Sequence, residues 1–124
     1  MSDPPQPDQQ VQKVREFLIE AYRDFNARRM EAVLARMQPD VDWPNGLEGG
    51  RVQGVEGVRV YWRRQWSLID PILEPVKIDV DDTGKAKVRI HQIVRDLQGN
   101  LVRDCVVHHV YKFRDGLIDH MEIV

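Results

Sequence analysis

The chain has 124 residues, 42% hydrophobic and 31% charged, with a formal net charge of −2. That length fits one domain able to bury its own core, and no apolar run reaches the length of a membrane span. The lack of a basic excess argues against a nucleic-acid partner, and the single cysteine, Cys105, excludes an internal disulfide and reads as a buried structural thiol.

Residues 1–7 are polar and proline-rich. They lack the basic start and apolar stretch of a signal peptide, so they read as a disordered tail ahead of one domain over residues 8–124, with a cytoplasmic location as the default. Asp8 is placed to cap a first helix. Val11, Val14, Leu18, Ala21, Tyr22 and Phe25 recur at helical spacing up to Asn26. Met30, Val33, Leu34 and Met37 repeat the pattern in a shorter second helix, stopped by Pro39. Val41-Asp42-Trp43 is a brief extended piece closed by Pro44, and the glycine-rich stretch from Asn45 to Gly54 is a loop. A third helix opens at Gly54, carries Val55, Val58, Trp62, Trp66 and Ile69 on one stripe, and ends at Pro71 and Pro75. The pairs Arg28-Arg29 and Arg63-Arg64 read as solvated helix positions.

Strands follow. Val76, Ile78 and Val80 alternate with charged residues, and Asp82-Thr83-Gly84 turns the chain into Lys85–Asp96. Gln98-Gly99-Asn100 leads to the longest strand, Leu101–Arg114, and Asp115-Gly116 makes a tight hairpin with Leu117–Val124. Helices first and an antiparallel meander last is an α+β pattern.

Side chains alternate across a strand. The bulkier set of the longest strand, Arg103, Cys105, Val107, His109, Tyr111 and Phe113, is expected inside. Val102, Asp104, Val106, His108, Val110 and Lys112 then face outward, and the apolar stripe Val102, Val106 and Val110 predicts a homodimer through that face. In the preceding strand apolarity places Ala86, Val88 and Ile90 inside, and Lys87, Arg89, His91 and Ile93 outside.

Phe25-Asn26-Ala27, Val41-Asp42-Trp43-Pro44, Tyr61-Trp62-Arg63-Arg64-Gln65-Trp66 and the run from His109 to Ile118 together resemble the nuclear transport factor 2-like superfamily and its SnoaL-like group, over about Val11 to Val124. The resemblance implies a cone-like, strongly curved, mainly antiparallel sheet with three N-terminal helices enclosing a pocket. Its members include isomerases, cyclases, dehydratases, epoxide hydrolases and plain binding modules, so fold alone does not assign activity. The catalytic aspartate of ketosteroid isomerases is matched by Trp43, and their two oxyanion-stabilising positions by Ala21 and His109. The arginine and two aspartates of limonene-epoxide hydrolases are matched by Arg89, His91 and Ile123, and a catalytic histidine of scytalone dehydratases by His91. The resemblance thus puts His91 in the pocket, against its apolarity-based outward placement, and is here given precedence.

On that basis His91 is the candidate acid or base and His109 its partner at one ligand oxygen. A core histidine satisfied by a carbonyl or water is the competing reading of His109. Tyr22 offers a hydroxyl from the first helix, Arg89 a positive charge beside His91, and Trp43, Trp62 and Trp66 an aromatic wall, although helical spacing suits Trp62 and Trp66 to core packing. The histidines lack metal-ligand spacing, and no phosphate loop is present, so no metal or cofactor is indicated. Two functions stay open. One is a cofactor-independent isomerase, dehydratase or cyclase acting on a small apolar or aromatic carbonyl or polyketide-like compound. The other is a non-catalytic ligand-binding or dimerisation module.

Overall fold

The apolar stripe of the first helix decides how the helices meet the sheet. In the computed structural model, whose described residues are 7–124, α1 spans Pro7–Asn26 and buries Leu18, Ala21, Tyr22 and Phe25. Residues 1–6 of the expected tail lie outside the described residues. Pro7 belongs to the helix, so Asp8 sits in its first turn and not at its cap. At the end of α1, Asn26 clamps the sheet: its amide donates to the Leu73 carbonyl at 2.8 Å and accepts from the Leu73 N–H at 2.9 Å. Arg28, left-handed at φ 62°, donates to the carbonyl of Pro71 at 2.7 Å.

The second helix, α2, is only Met30–Leu34. Met37 and Pro39, expected in or at the end of that helix, belong instead to strand β1, Met37–Pro44. Met37 is buried all the same, because the strand points it at the same core. A three-residue strand, β2 (Arg51–Gln53), pairs back on β1 before α3 (Gly54–Leu68). The third helix ends at Leu68, three residues before the expected proline stop. Strand β3 runs Ile69–Val80 straight through Pro71 and Pro75, with a register irregularity between Pro75 and Lys77. Prolines are tolerated there because β3 is an edge strand, where a missing N–H costs fewer ladder bonds.

Strands β4 (Ala86–Asp96), β5 (Leu101–Arg114) and β6 (Leu117–Ile123) complete one six-stranded sheet in the order β2-β1-β6-β5-β4-β3. Among the described strands, only the β1–β6 pairing is parallel. Asp115 and Gly116, at φ 51° and 79°, make the two-residue turn that twists correctly for the β5–β6 hairpin. The result is the α+β cone expected of the sequence, three helices against a mostly antiparallel open sheet.

The concave face of β4 carries Ala86, Val88 and Ile90, all fully buried, and that of β5 carries His109 and Tyr111. Strand β6 stops opposite His109, where Ile123 pairs with it, so Leu101 to Val107 of β5 has a strand partner on the β4 side only. That bare flank opens the concave face toward the loop 45–50. No helix among the described residues is long and apolar enough to cross a membrane.

Candidate functional site

The concave face of β5, α1, α3, β1 and the loop 45–50 enclose a cavity of about 750 Å³. That is the size of a small-molecule site. Strand alternation sends His109 and Tyr111 into it from β5, with Val107 and Arg103 nearer the rim. Helical spacing brings Tyr22 and Phe25 from α1 and Tyr61, Trp62 and Gln65 from α3, while Trp43 enters from the end of β1.

At its floor three polar groups meet. The Tyr22 hydroxyl lies 2.8 Å from Nδ1 of His109 and 2.6 Å from the hydroxyl of Tyr111. All three side chains are buried, and Nε2 of His109 has no protein hydrogen bond among the described residues. Burial, helped by the neighbouring His108, pushes the His109 imidazole down to about 4, so it is neutral at pH 7. Burial raises the hydroxyl of Tyr22, with Tyr111 adding to it, and raises that of Tyr111 against the opposing hydrogen bond from Tyr22. Every member of the group is therefore held uncharged. Tyr61, also raised by burial, accepts the N–H of Gly46 at 3.1 Å and fixes the loop at the cavity's other side.

The walls are aromatic. Trp43 meets Trp62 edge-to-face with centroids 5.7 Å apart, and meets Tyr111 at 6.2 Å. Trp66 is not part of the lining. It stacks behind Trp62 at 5.7 Å, with Phe25 against it and the Arg28 guanidinium 5.1 Å from its ring.

Among the described residues, Arg51, Arg103 and Glu122 are the charged side chains that border the cavity. Arg51 is tied to Asp42 at 2.8 Å and to the Met121 carbonyl at 2.7 Å, and Glu122 is tied to His120 at 2.9 Å. Arg103 has no ion pair or hydrogen bond among the described residues. No group of three histidine, cysteine, aspartate or glutamate side chains among the described residues is arranged to hold a metal.

Of the residues singled out from the sequence, Tyr22, Trp43, Trp62 and His109 line the cavity together. His91 and Arg89 do not. With Ala86, Val88 and Ile90 inward, alternation turns Arg89 and His91 to the outer face, where His91 pairs with Asp104 at 2.7 Å and Arg89 lies 3.5 Å from His108. The placement of His91 in the pocket, and its meeting with His109 at one ligand oxygen, is thus corrected in favour of the apolarity argument. The cavity receives Gln92 at that level instead. Tyr111, Gln65, Gln92 and Arg103 were not singled out as site residues. Tyr111 was legible as the inward residue two positions after His109, but its pairing with Tyr22 was not.

Comparison with known proteins agrees with this architecture. The family model of the SnoaL-like domain matches residues 18–121. TerC, co-crystallised with polyporic acid, is 24% identical over 90% of this chain and 90% of its own, with a TM-score of 0.78. An NTF2-like protein of unknown function from Burkholderia pseudomallei is 26% identical over 93% and 88%, TM-score 0.76. A candidate polyketide cyclase from Sinorhizobium meliloti is 23% identical over 96% and 95%, TM-score 0.72. No curated protein matches the sequence.

Proposed function

The chain belongs to the SnoaL-like domain family of the nuclear transport factor 2-like superfamily, and from that premise we propose that it is a cofactor-independent isomerase, cyclase or dehydratase of an apolar carbonyl or polyketide-like compound. The observation that carries this reading is the buried Tyr22–His109–Tyr111 group at the floor of an aromatic cavity, with the His109 Nε2 free of protein partners. A neutral imidazole there can take a proton from carbon or donate to a carbonyl oxygen, and preorganised donors act most strongly where water is excluded. Trp43 and Trp62 hold the flat body of the ligand. Arg103 suits an acidic oxygen at its far end. The S. meliloti candidate polyketide cyclase and the polyporic acid complex of TerC support a small-molecule occupant. His91 and Arg89 lie outside this site.

The test uses 2-tetralone, an aromatic ketone with acidic α-protons. In deuterated buffer the protein is expected to speed α-deuteration above the buffer rate, and His109→Gln to lose that acceleration. One observation favours a second reading, a non-catalytic binding module: among the described residues, the one carboxylate lining the cavity, Glu122, is tied to His120. Binding of 2-tetralone, seen as tryptophan quenching, without any exchange would select that reading. Neither binding nor exchange would sink both.

We also place a second copy of the chain against the outer sheet face, where Val106 is 58% exposed.

A further inference from the structure

The hydrogen bonds at the cavity floor run in a line, His109 Nδ1 to Tyr22 hydroxyl to Tyr111 hydroxyl, at 2.8 and 2.6 Å. Such a line has two arrangements with the same internal bonds. In one, Tyr111 donates to Tyr22, Tyr22 donates to Nδ1, and the imidazole carries its proton on Nε2. In the other, Nδ1–H donates to Tyr22, Tyr22 donates to Tyr111, Nε2 is a bare acceptor, and the Tyr111 proton is free to donate. The two differ only at their ends, and both end residues line the cavity, with ring centroids 6.3 Å apart on the same face of β5.

We propose that Tyr111 is the acid partner of His109 and that Tyr22 couples them into one proton relay. This rests on the proton-transfer reading given above. Starting from the second arrangement, Nε2 removes the α-proton of a ketone and the C–H electron pair forms the C=C bond. The Nδ1 proton passes to Tyr22, the Tyr22 proton to Tyr111, and the Tyr111 proton to the carbonyl oxygen, whose π pair becomes the new O–H bond. The ketone has become an enol, the site stands in its first arrangement, and no atom has gained a charge. Where the ketone is β,γ-unsaturated the enol is a dienol, and returning Nε2–H to its γ-carbon, with the enol proton going back to Tyr111, completes an isomerisation and resets the relay.

This fits a site that burial makes hostile to charge. An imidazolium is disfavoured, since the His109 imidazole is pushed down to about 4, and tyrosinate is disfavoured at both hydroxyls. A base that must store a charge between steps is poorly served there. A relay that delivers one proton as it removes another never stores one. Tyr111 is thereby a catalytic residue, and Tyr22 a positioning residue that acts through both neighbours.

The test reads the His109 tautomer by nitrogen-15 NMR in the ligand-free protein. The expected wild-type signals lie between those of the two pure tautomers. In Tyr111→Phe the Tyr22 proton has no acceptor but Nδ1, so His109 is expected to collapse onto the Nε2–H form. In the same variant, 2-tetralone exchange should fall at least about tenfold, the scale of a lost general acid, and by more than any weakening of tryptophan quenching by 2-tetralone. Tyr22→Phe keeps both ends and cuts the line, and should give the same loss of exchange. A His109 fixed in one tautomer in both wild type and Tyr111→Phe would overturn the relay, even if the wild type exchanges 2-tetralone. Relay and enzyme therefore fail separately. Exchange that survives in both phenylalanine variants would also overturn it.

Discussion

Trp43 stands with its ring at 89° to that of Trp62, the two centroids 5.7 Å apart, so that one tryptophan braces the other across the cavity wall. Their burdens differ. Trp62 is 2% exposed, with Phe25 and Trp66 also against it, whereas Trp43 closes the end of β1. Trp62→Ala is expected to cost about 3–5 kcal/mol of stability, the scale of a large core truncation. Trp43→Phe should cost less and act on ligand affinity. Urea unfolding and 2-tetralone titration of each variant check this, and a Trp62→Ala protein as stable as wild type would refute the assignment.

Stability should follow the His109 proton. An unfolded imidazole binds its proton near pH 6.5, and folded His109 only at about 4. Between those values the unfolded state holds more protons, so this contribution is complete above about pH 6.5 and is lost as pH falls toward 4, by about 3 kcal/mol. His109→Gln should flatten that decline. Urea midpoints of both proteins at pH 7 and 4.5 measure it, since the carboxylates are common to the two. Equal declines would show that His109 takes up its proton freely in the fold.

His91→Ala should leave 2-tetralone binding and exchange unchanged, because its imidazole pairs with Asp104 on the outer face. Its surface ion pair is worth at most about 1 kcal/mol. Loss of exchange in a folded His91→Ala protein would contradict the site described here.

The unpartnered Arg103 predicts a preference for acidic ligands. Arg103→Gln should weaken binding of 1-anilinonaphthalene-8-sulfonate by about three- to tenfold, and that of neutral N-phenyl-1-naphthylamine little, since a rim charge in water contributes about 1 kcal/mol. Added salt should erode the difference. Equal weakening of both probes would remove Arg103 from ligand recognition.

Sedimentation should report twice the 14.5 kDa chain mass at micromolar concentration. Val106→Lys, placing a charge on the outer face between His108 and Asp104, should shift it to the single-chain mass. A wild-type monomer would rule out the second copy.

Much of the fold was legible because strand alternation is strict. Ala86, Val88 and Ile90 declared the inner face of β4 by composition alone, and all three are fully buried. The same strictness explains the error at His91. A match of one residue's offset along a strand turns a side chain to the opposite face, so family position outweighed local chemistry at a point where local chemistry was right. The prolines misled for a related reason. Pro39 and Pro71 are stop signs for a helix but admissible in a strand with a free or irregular edge, and which strand lies at the edge is a property of the sheet order. Tyr22 was noted, but its contact with Tyr111 depends on where α1 lands on β5, and no local pattern specifies that.

The distance along the chain between those partners sets when the site can exist. Tyr22 is 87 residues from His109 and 89 from Tyr111, so closing the contact means paying the entropy of a loop that spans most of the chain. Neither the helix nor the hairpin alone holds any part of the relay's line. On refolding, chemistry should therefore return with the slowest, most nonlocal step, after helical circular dichroism has recovered. Partly folded molecules would be inert, and any detectable turnover would count only chains that have finished folding.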